Sequence, residues 1–196
     1  MKIAVRLCIL AGLLVVATLG AAQDELPGKH EVSVWLNRSF SNGHVFGWAQ
    51  NRELFFAEVR YARRFATIKG MELRYQAAVV PVALLNDDLG NYQREWVYAA
   101  GASPIGLHVR FRPTKRVSPF LSNTGGFLYF QRRVLFDDTT QFNFTVELAA
   151  GTEIRVASRE AVVFGYKYHH FSNANRGVRN PGLDSHMLFV GFAWFR

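Results

Sequence analysis

Three residues near the C-terminus carry groups that together perform hydrolytic chemistry: His170, Ser172 and Asp184. A serine hydroxyl is a weak nucleophile until a neutral imidazole takes its proton, and the imidazole needs a carboxylate to hold its tautomer and stabilise the imidazolium. The His-x-Ser spacing supplies the first pairing without any special turn, because residues i and i+2 of a strand share a face. A His, a Ser and an Asp beside a loop are more commonly solvated loop-edge residues. The weight of the assignment therefore rests on the elements that position them.

The stretch Glu160 to Arg196 reads, with a period of two, as a strand, a polar loop and a second strand. Val162, Phe164, Tyr166, Tyr168, His170 and Ser172 share one face of the first strand, opposite Gly165, Lys167 and His169. Asp184, His186, Leu188, Val190, Phe192 and Trp194 share a face of the second. An antiparallel hairpin sets the end of one strand beside the start of the next, which places the three polar groups together on an otherwise apolar face.

Alternation continues upstream. Val32, Val34 and Leu36 oppose Ser33, Asn37 and Ser39, with Trp35 on the polar side; Phe55, Ala57, Val59 and Tyr61 oppose Glu58, Arg60 and Arg64. Met71 to Val79, Ile105 to Phe111 and Phe142 to Leu148 repeat the pattern, whereas Pro119 to Gln131 has no readable faces. With the C-terminal hairpin this predicts about eight strands, the number for a small closed antiparallel barrel. The apolar faces carry Phe, Tyr, Leu and Trp, and the opposite faces carry Arg/Glu pairs with Gly and Ala. That distribution predicts lipid outside and a narrow polar interior of ion pairs. Long links at about 41–52, 83–104, 132–140 and 173–182, against tight ones near 66–69, 113–118 and 156–159, match the loop asymmetry of outer-membrane barrels.

The N-terminus has Lys2 and Arg6, an apolar run Leu7–Leu19 and then Gly20, Ala21 and Ala22, which reads as a signal peptide over 1–22 preceding a barrel over 23–196. The run is short of the roughly 20 residues of a spanning helix. Cys8 falls within it, so the mature chain offers neither a disulfide nor a thiol nucleophile. The net charge is +8, of which Lys2 and Arg6 contribute two, leaving +6 for attraction to anionic partners. Export, scattered basic residues and the absence of any nucleic-acid-binding motif argue against nucleic acid and for a phosphate-rich lipid surface. With both termini periplasmic, His170, Ser172 and Asp184 would face lipid at the outer leaflet, where a polar group costs about 0–1 kcal/mol.

The run Tyr168-His169-His170-Phe171-Ser172-Asn173-Ala174, followed by Asn180-Pro181-Gly182-Leu183-Asp184-Ser185, resembles the HxSNA and downstream N-x-G-[IL]-E-S pattern of the lipid A 3-O-deacylases, the PagL family. The resemblance implies an eight-stranded outer-membrane barrel that removes the ester-linked 3-hydroxyacyl chain at the 3-position of lipid A, without metal or cofactor. It implies Ser172 as nucleophile, His170 as general base and then acid, Asp184 as the orienting carboxylate, and Asn173 and Ala174 as the oxyanion-stabilising segment. Asp184 is one methylene shorter than the family's usual Glu, which makes its reach to His170 a question of strand register. Asn175 stands where Gly is common. His186 shares the Asp184 face as a rival base, without the His-x-Ser spacing.

Arg94, Arg132, Arg133, Arg176 and Arg179 are candidates to meet substrate phosphates, with Arg176 and Arg179 nearest the motif. The expected partners are lipid A or lipopolysaccharide and outer-membrane lipids; oligomeric state is not legible. Two other readings share these features: a non-enzymatic small barrel serving as an adhesin or structural protein, and an acyl hydrolase acting on phospholipids.

Overall fold

The computed structural model describes residues 26–90 and 93–196. The expected signal peptide, Cys8 included, lies outside the described residues. Eight strands, β1 (His30–Asn42), β2 (Glu53–Ile68), β3 (Met71–Gly90), β4 (Gln93–Phe111), β5 (Val117–Phe130), β6 (Phe142–Ala157), β7 (Glu160–Ser172) and β8 (Leu183–Phe195), form a closed barrel in sequence order. Every neighbouring pair is antiparallel, and β8 closes on β1.

The alternation in the sequence is the alternation between bilayer and interior. Val32, Val34, Leu36, Tyr75, Val79, Leu107, Val146 and Leu148 are exposed, while Glu58, Arg60, Glu72, Arg74, His108 and Arg110 are buried inside. Closure pairs every strand edge, which a bilayer demands because it supplies no water to an unpaired backbone. The chain is an all-β, eight-stranded antiparallel barrel of the outer membrane.

The interior carries ion pairs, as expected. Lys167 Nζ lies 2.6 Å from Glu58 and 3.1 Å from Glu147, and Arg110 reaches Glu31, Glu72 and Glu153 at 2.6, 2.9 and 2.5 Å. It is less polar than expected, however. Trp35, Phe120, Phe189 and Phe195 form one buried apolar cluster, and Phe56, Leu85, Phe130, Phe171 and Met187 belong to another. The two chemistries interlock: the Arg60 guanidinium stacks 4.2 Å above Trp35, and Lys167 sits 4.8 Å from the Phe56 ring. In Pro119–Gln131, where no faces were readable, Phe120, Leu128 and Phe130 point inward and Leu121 and Tyr129 outward. Aromatic bulk on both sides erased the pattern.

The link expected over 83–104 is corrected. Residues 83–90 and 93–104 lie in the outer parts of β3 and β4, the longest strands of the barrel. The register shifts between Val80 and Ala83 where β3 pairs β4, and between Ala102 and Ile105 where β4 pairs β5, beside Pro81 and Pro104. A proline cannot donate to the ladder and is accommodated at bulges, which break the two-residue period. The remaining long links, 43–52, 131–141 and 173–182, lie at one end of the barrel with the β3–β4 hairpin, and the short turns lie at the other.

Candidate active site

β7 and β8 meet at the long-loop end with His170 directly opposite Asp184. Directly opposed residues hold their Cβ atoms about 4.5–5.5 Å apart, and His170 Nδ1 and Asp184 Oδ1 hydrogen-bond at 2.7 Å. The shorter acid therefore reaches. With Nδ1 occupied, Nε2 is the nitrogen left to exchange a proton.

The other carboxylate oxygen is held by the loop between β1 and β2. Asp184 Oδ2 accepts hydrogen bonds from the backbone N–H groups of Val45 (2.6 Å) and Phe46 (2.9 Å). The same loop is strapped to the chain ahead of β8: Trp48 N–H donates to the Pro181 carbonyl, Ala49 N–H to that of Gly182, and Gly43 N–H to that of Asp184. Under this strap Asp184 is fully buried although it points to the outer face, and the Phe46 ring stands edge-on to His170 at 5.6 Å. Tyr168, one step inward on β7, packs its buried hydroxyl near Asp184 without a well-formed hydrogen bond.

Two glycines make the approach possible. Gly182 has φ +57°, and a Cβ there would lie 2.9 Å from His170 Cε1; a Cβ on Gly47 would lie 2.6 Å from the Gly182 carbonyl carbon. Neither the strap nor the imidazole would keep its position with a side chain at these points.

Ser172 occupies the same outer face two residues beyond His170, half-buried at the end of β7 and opposite Phe144 of β6. No hydrogen bond joins it to His170 among the described residues. After it the chain turns sharply: Ala174 and Asn175 both have left-handed φ, 51° and 61°, and Arg176 N–H donates to the Asn173 carbonyl at 3.1 Å. This is the positive-φ pattern of a type I′ turn, in which Asn175 is at ease and Ala174 is not. Asn173 is buried and pins the loop, its N–H donating to Asn180 Oδ1 (3.1 Å) and its Nδ2 to the Arg179 carbonyl (2.8 Å). Among the described residues, the Ala174 N–H has no acceptor.

The arginines separate by position. Arg176 lies 4.8 Å over Phe144, the cross-strand partner of Ser172. Arg179 pairs with Asp138 at 3.3 Å, Arg132 with Glu95 at 3.2 Å, Arg133 with the Asp137 carbonyl at 3.0 Å, and Arg94 with the Asn51 carbonyl. These four are bound into loop structure. His169 points inward and is buried, and His186 is paired with the Tyr166 hydroxyl at 2.5 Å. The sequence reading did not reach the Val45 and Phe46 amides, because a backbone N–H has no letter; the closely packed Gly47 and Gly182 are the only trace they leave.

A closed barrel with a hydrogen-bonded His–Asp pair on its apolar outer surface defines an outer-membrane protein with a polar site on its lipid-facing wall. The sequence model of the lipid A 3-O-deacylase (PagL) family matches residues 56–193, and the chain belongs to that family. The solved structure of the outer membrane enzyme PagL is similar, with a TM-score of 0.64 at 16% identity over 82% of this chain and 97% of that one. Neisserial surface protein A follows at a TM-score of 0.54 and 14% identity, over 87% of this chain and 99% of that one. At such identities the likeness is one of fold. Comparison with curated proteins gives no match.

Proposed function

We propose that this chain, exported by an N-terminal signal peptide, is a serine esterase that hydrolyses the ester-linked 3-hydroxyacyl chain at the 3-position of lipid A. The observation that carries the reading is the 2.7 Å His170–Asp184 hydrogen bond on the outer face of a family member, with Ser172 two residues along the same face. Ser172 Oγ attacks the ester carbonyl as His170 Nε2 takes its proton, and Asp184 stabilises the imidazolium. The tetrahedral intermediate expels the sugar oxygen, which His170 protonates. Water then attacks the acyl-serine, giving its proton to His170, and the fatty acid leaves with Ser172 restored. Closing the Ser172–His170 gap falls to substrate binding, since catalytic hydrogen bonds are often long in the free enzyme.

Of the two expected oxyanion donors, the Ala174 amide is the free one, and a strained left-handed residue beside a nucleophile fits that role. Asn173 supports it by fixing the turn. Arg176, above Phe144, is placed for a headgroup phosphate; Arg179, tied to Asp138, is placed less well.

Mass spectrometry of lipid A from a lipopolysaccharide-bearing host expressing the chain, beside Ser172→Ala, tests the reading. Loss of one 3-hydroxyacyl chain with the parent alone is the expected result. Intact lipid A with a correctly inserted parent overturns it, and fatty acid released from phospholipid instead would move the substrate.

A further inference from the structure

A groove of about 1040 Å³ lies apart from His170, Ser172 and Asp184. It runs along the outer rim of β1 and β2, with Phe40 and Leu188 on its apolar side and Asn42 and Gln50 on its polar side. Its volume is at the upper end of the range for small-molecule sites. Asn42 joins it to the active site, donating from Nδ2 to the Asp184 carbonyl at 3.4 Å.

Arg38 lines this groove in an unusual setting. On β1 the outward row is Val32, Val34, Leu36, Arg38, Phe40: one cation among exposed apolar side chains. Among the described residues, Arg38 has no hydrogen-bond or ion-pair partner. The other two guanidinium groups of the groove are committed, Arg52 to Asp87 at 3.1 Å and Arg94 to the Asn51 carbonyl. A cation on the lipid face costs roughly 2–4 kcal/mol at mid-bilayer and less toward the interface, and an arginine lowers that cost by extending along its strand toward the headgroups. There a guanidinium finds its best partner in a phosphate, which it can engage with two parallel hydrogen bonds.

We infer that the Arg38 groove binds the phosphate of an outer-leaflet lipid headgroup. The register sets Arg38 opposite Leu188 of β8 and so level with Tyr166 of β7, six residues from Ser172 and roughly 20 Å along the strand. That the lipid is the substrate itself rests on the function proposed above and on a lipid long enough to bridge that span. Arg38 is thus a binding residue that touches no reacting atom. Glu53 is the rival explanation, since it lines the same groove on the neighbouring strand, one outward position beyond Phe55, the cross-strand partner of Arg38. A structural pair between the two would need no lipid.

The test measures binding by a chain that cannot turn over. Ser172→Ala protein in neutral-detergent micelles is titrated, by native mass spectrometry, with bisphosphorylated lipid A and with its phosphate-free form. Adding Arg38→Ala is expected to weaken binding of the bisphosphorylated lipid about tenfold or more and to abolish the preference over the phosphate-free lipid. Arg38→Lys retains most of the preference, and Glu53→Gln leaves binding undiminished. Circular dichroism confirms the barrel in each variant. Unchanged binding in Arg38→Ala, an equal loss in Glu53→Gln, or displacement of the lipid by millimolar inorganic phosphate overturns the inference. Because no hydrolysis is read, failure of the esterase reading would appear separately, as absent deacylation by a chain that still binds.

Discussion

His170 and Asp184 are direct cross-strand partners, so the hydrogen bond between imidazole and carboxylate is set by the register of β7 against β8 rather than by a loop. Asp184→Asn keeps the shape and loses the charge that, in the proposed mechanism, stabilises the imidazolium. It is expected to lower the turnover number for 3-hydroxyacyl release by about a thousand- to ten-thousandfold, with the folded barrel unchanged on heat-modifiability gels. A comparable rate in Asp184→Asn would remove Asp184 from the mechanism.

Gly182→Ala tests the space that the imidazole occupies. The new Cβ lies 2.9 Å from His170 Cε1, on a residue whose φ of +57° already disfavours a side chain. A displaced base typically costs about a hundredfold in rate. Kinetics on detergent-dispersed lipid A should show that loss in the turnover number, with KM little altered.

Phe46→Ala removes the ring edge from His170 while leaving the backbone donors to Asp184 in place. An aromatic contact of this geometry contributes about 0.5–1.5 kcal/mol, so a two- to tenfold fall in turnover is expected. A much larger fall would mean that the strap itself had detached, which proteolysis of the 43–52 loop would report.

Lys167→Met addresses the barrel, not the site. Lys167 is fully buried between Glu58 and Glu147. Removing one partner of a buried ion pair costs about 3–5 kcal/mol. The urea midpoint of the folded barrel in lipid vesicles should fall accordingly, and adding Glu58→Gln should recover part of the loss.

The outward rows of β1, β2, β3 and β6 and the inner half of β4 were legible because a small barrel in lipid obeys a two-residue period almost without exception. Phe120, Phe130, Phe171, Phe189 and Phe195 were not, since a buried ring covering a cation has the same letter as one facing acyl chains. The outer halves of β3 and β4 were hidden by bulges at Pro81 and Pro104. At the site, the motif brought His170, Ser172 and Asp184 forward, and the strand pairing brings an Asp within hydrogen-bond reach of His170 where a Glu is usual. Val45 and Phe46 could not be foreseen, because any residue offers the same amide.

The packed interior has a directional consequence. Among the described residues, ion pairs and rings occupy the lumen, which leaves the outer wall and the long-loop end as the faces open to a lipid and to water. In the proposed reaction the lipid must arrive sideways, by diffusion in the plane of its own leaflet, while the water that frees the acyl-serine descends from outside the cell. The released fatty acid stays in the leaflet and the trimmed headgroup remains at its surface, so the membrane is at once the solvent, the substrate store and the sink for product.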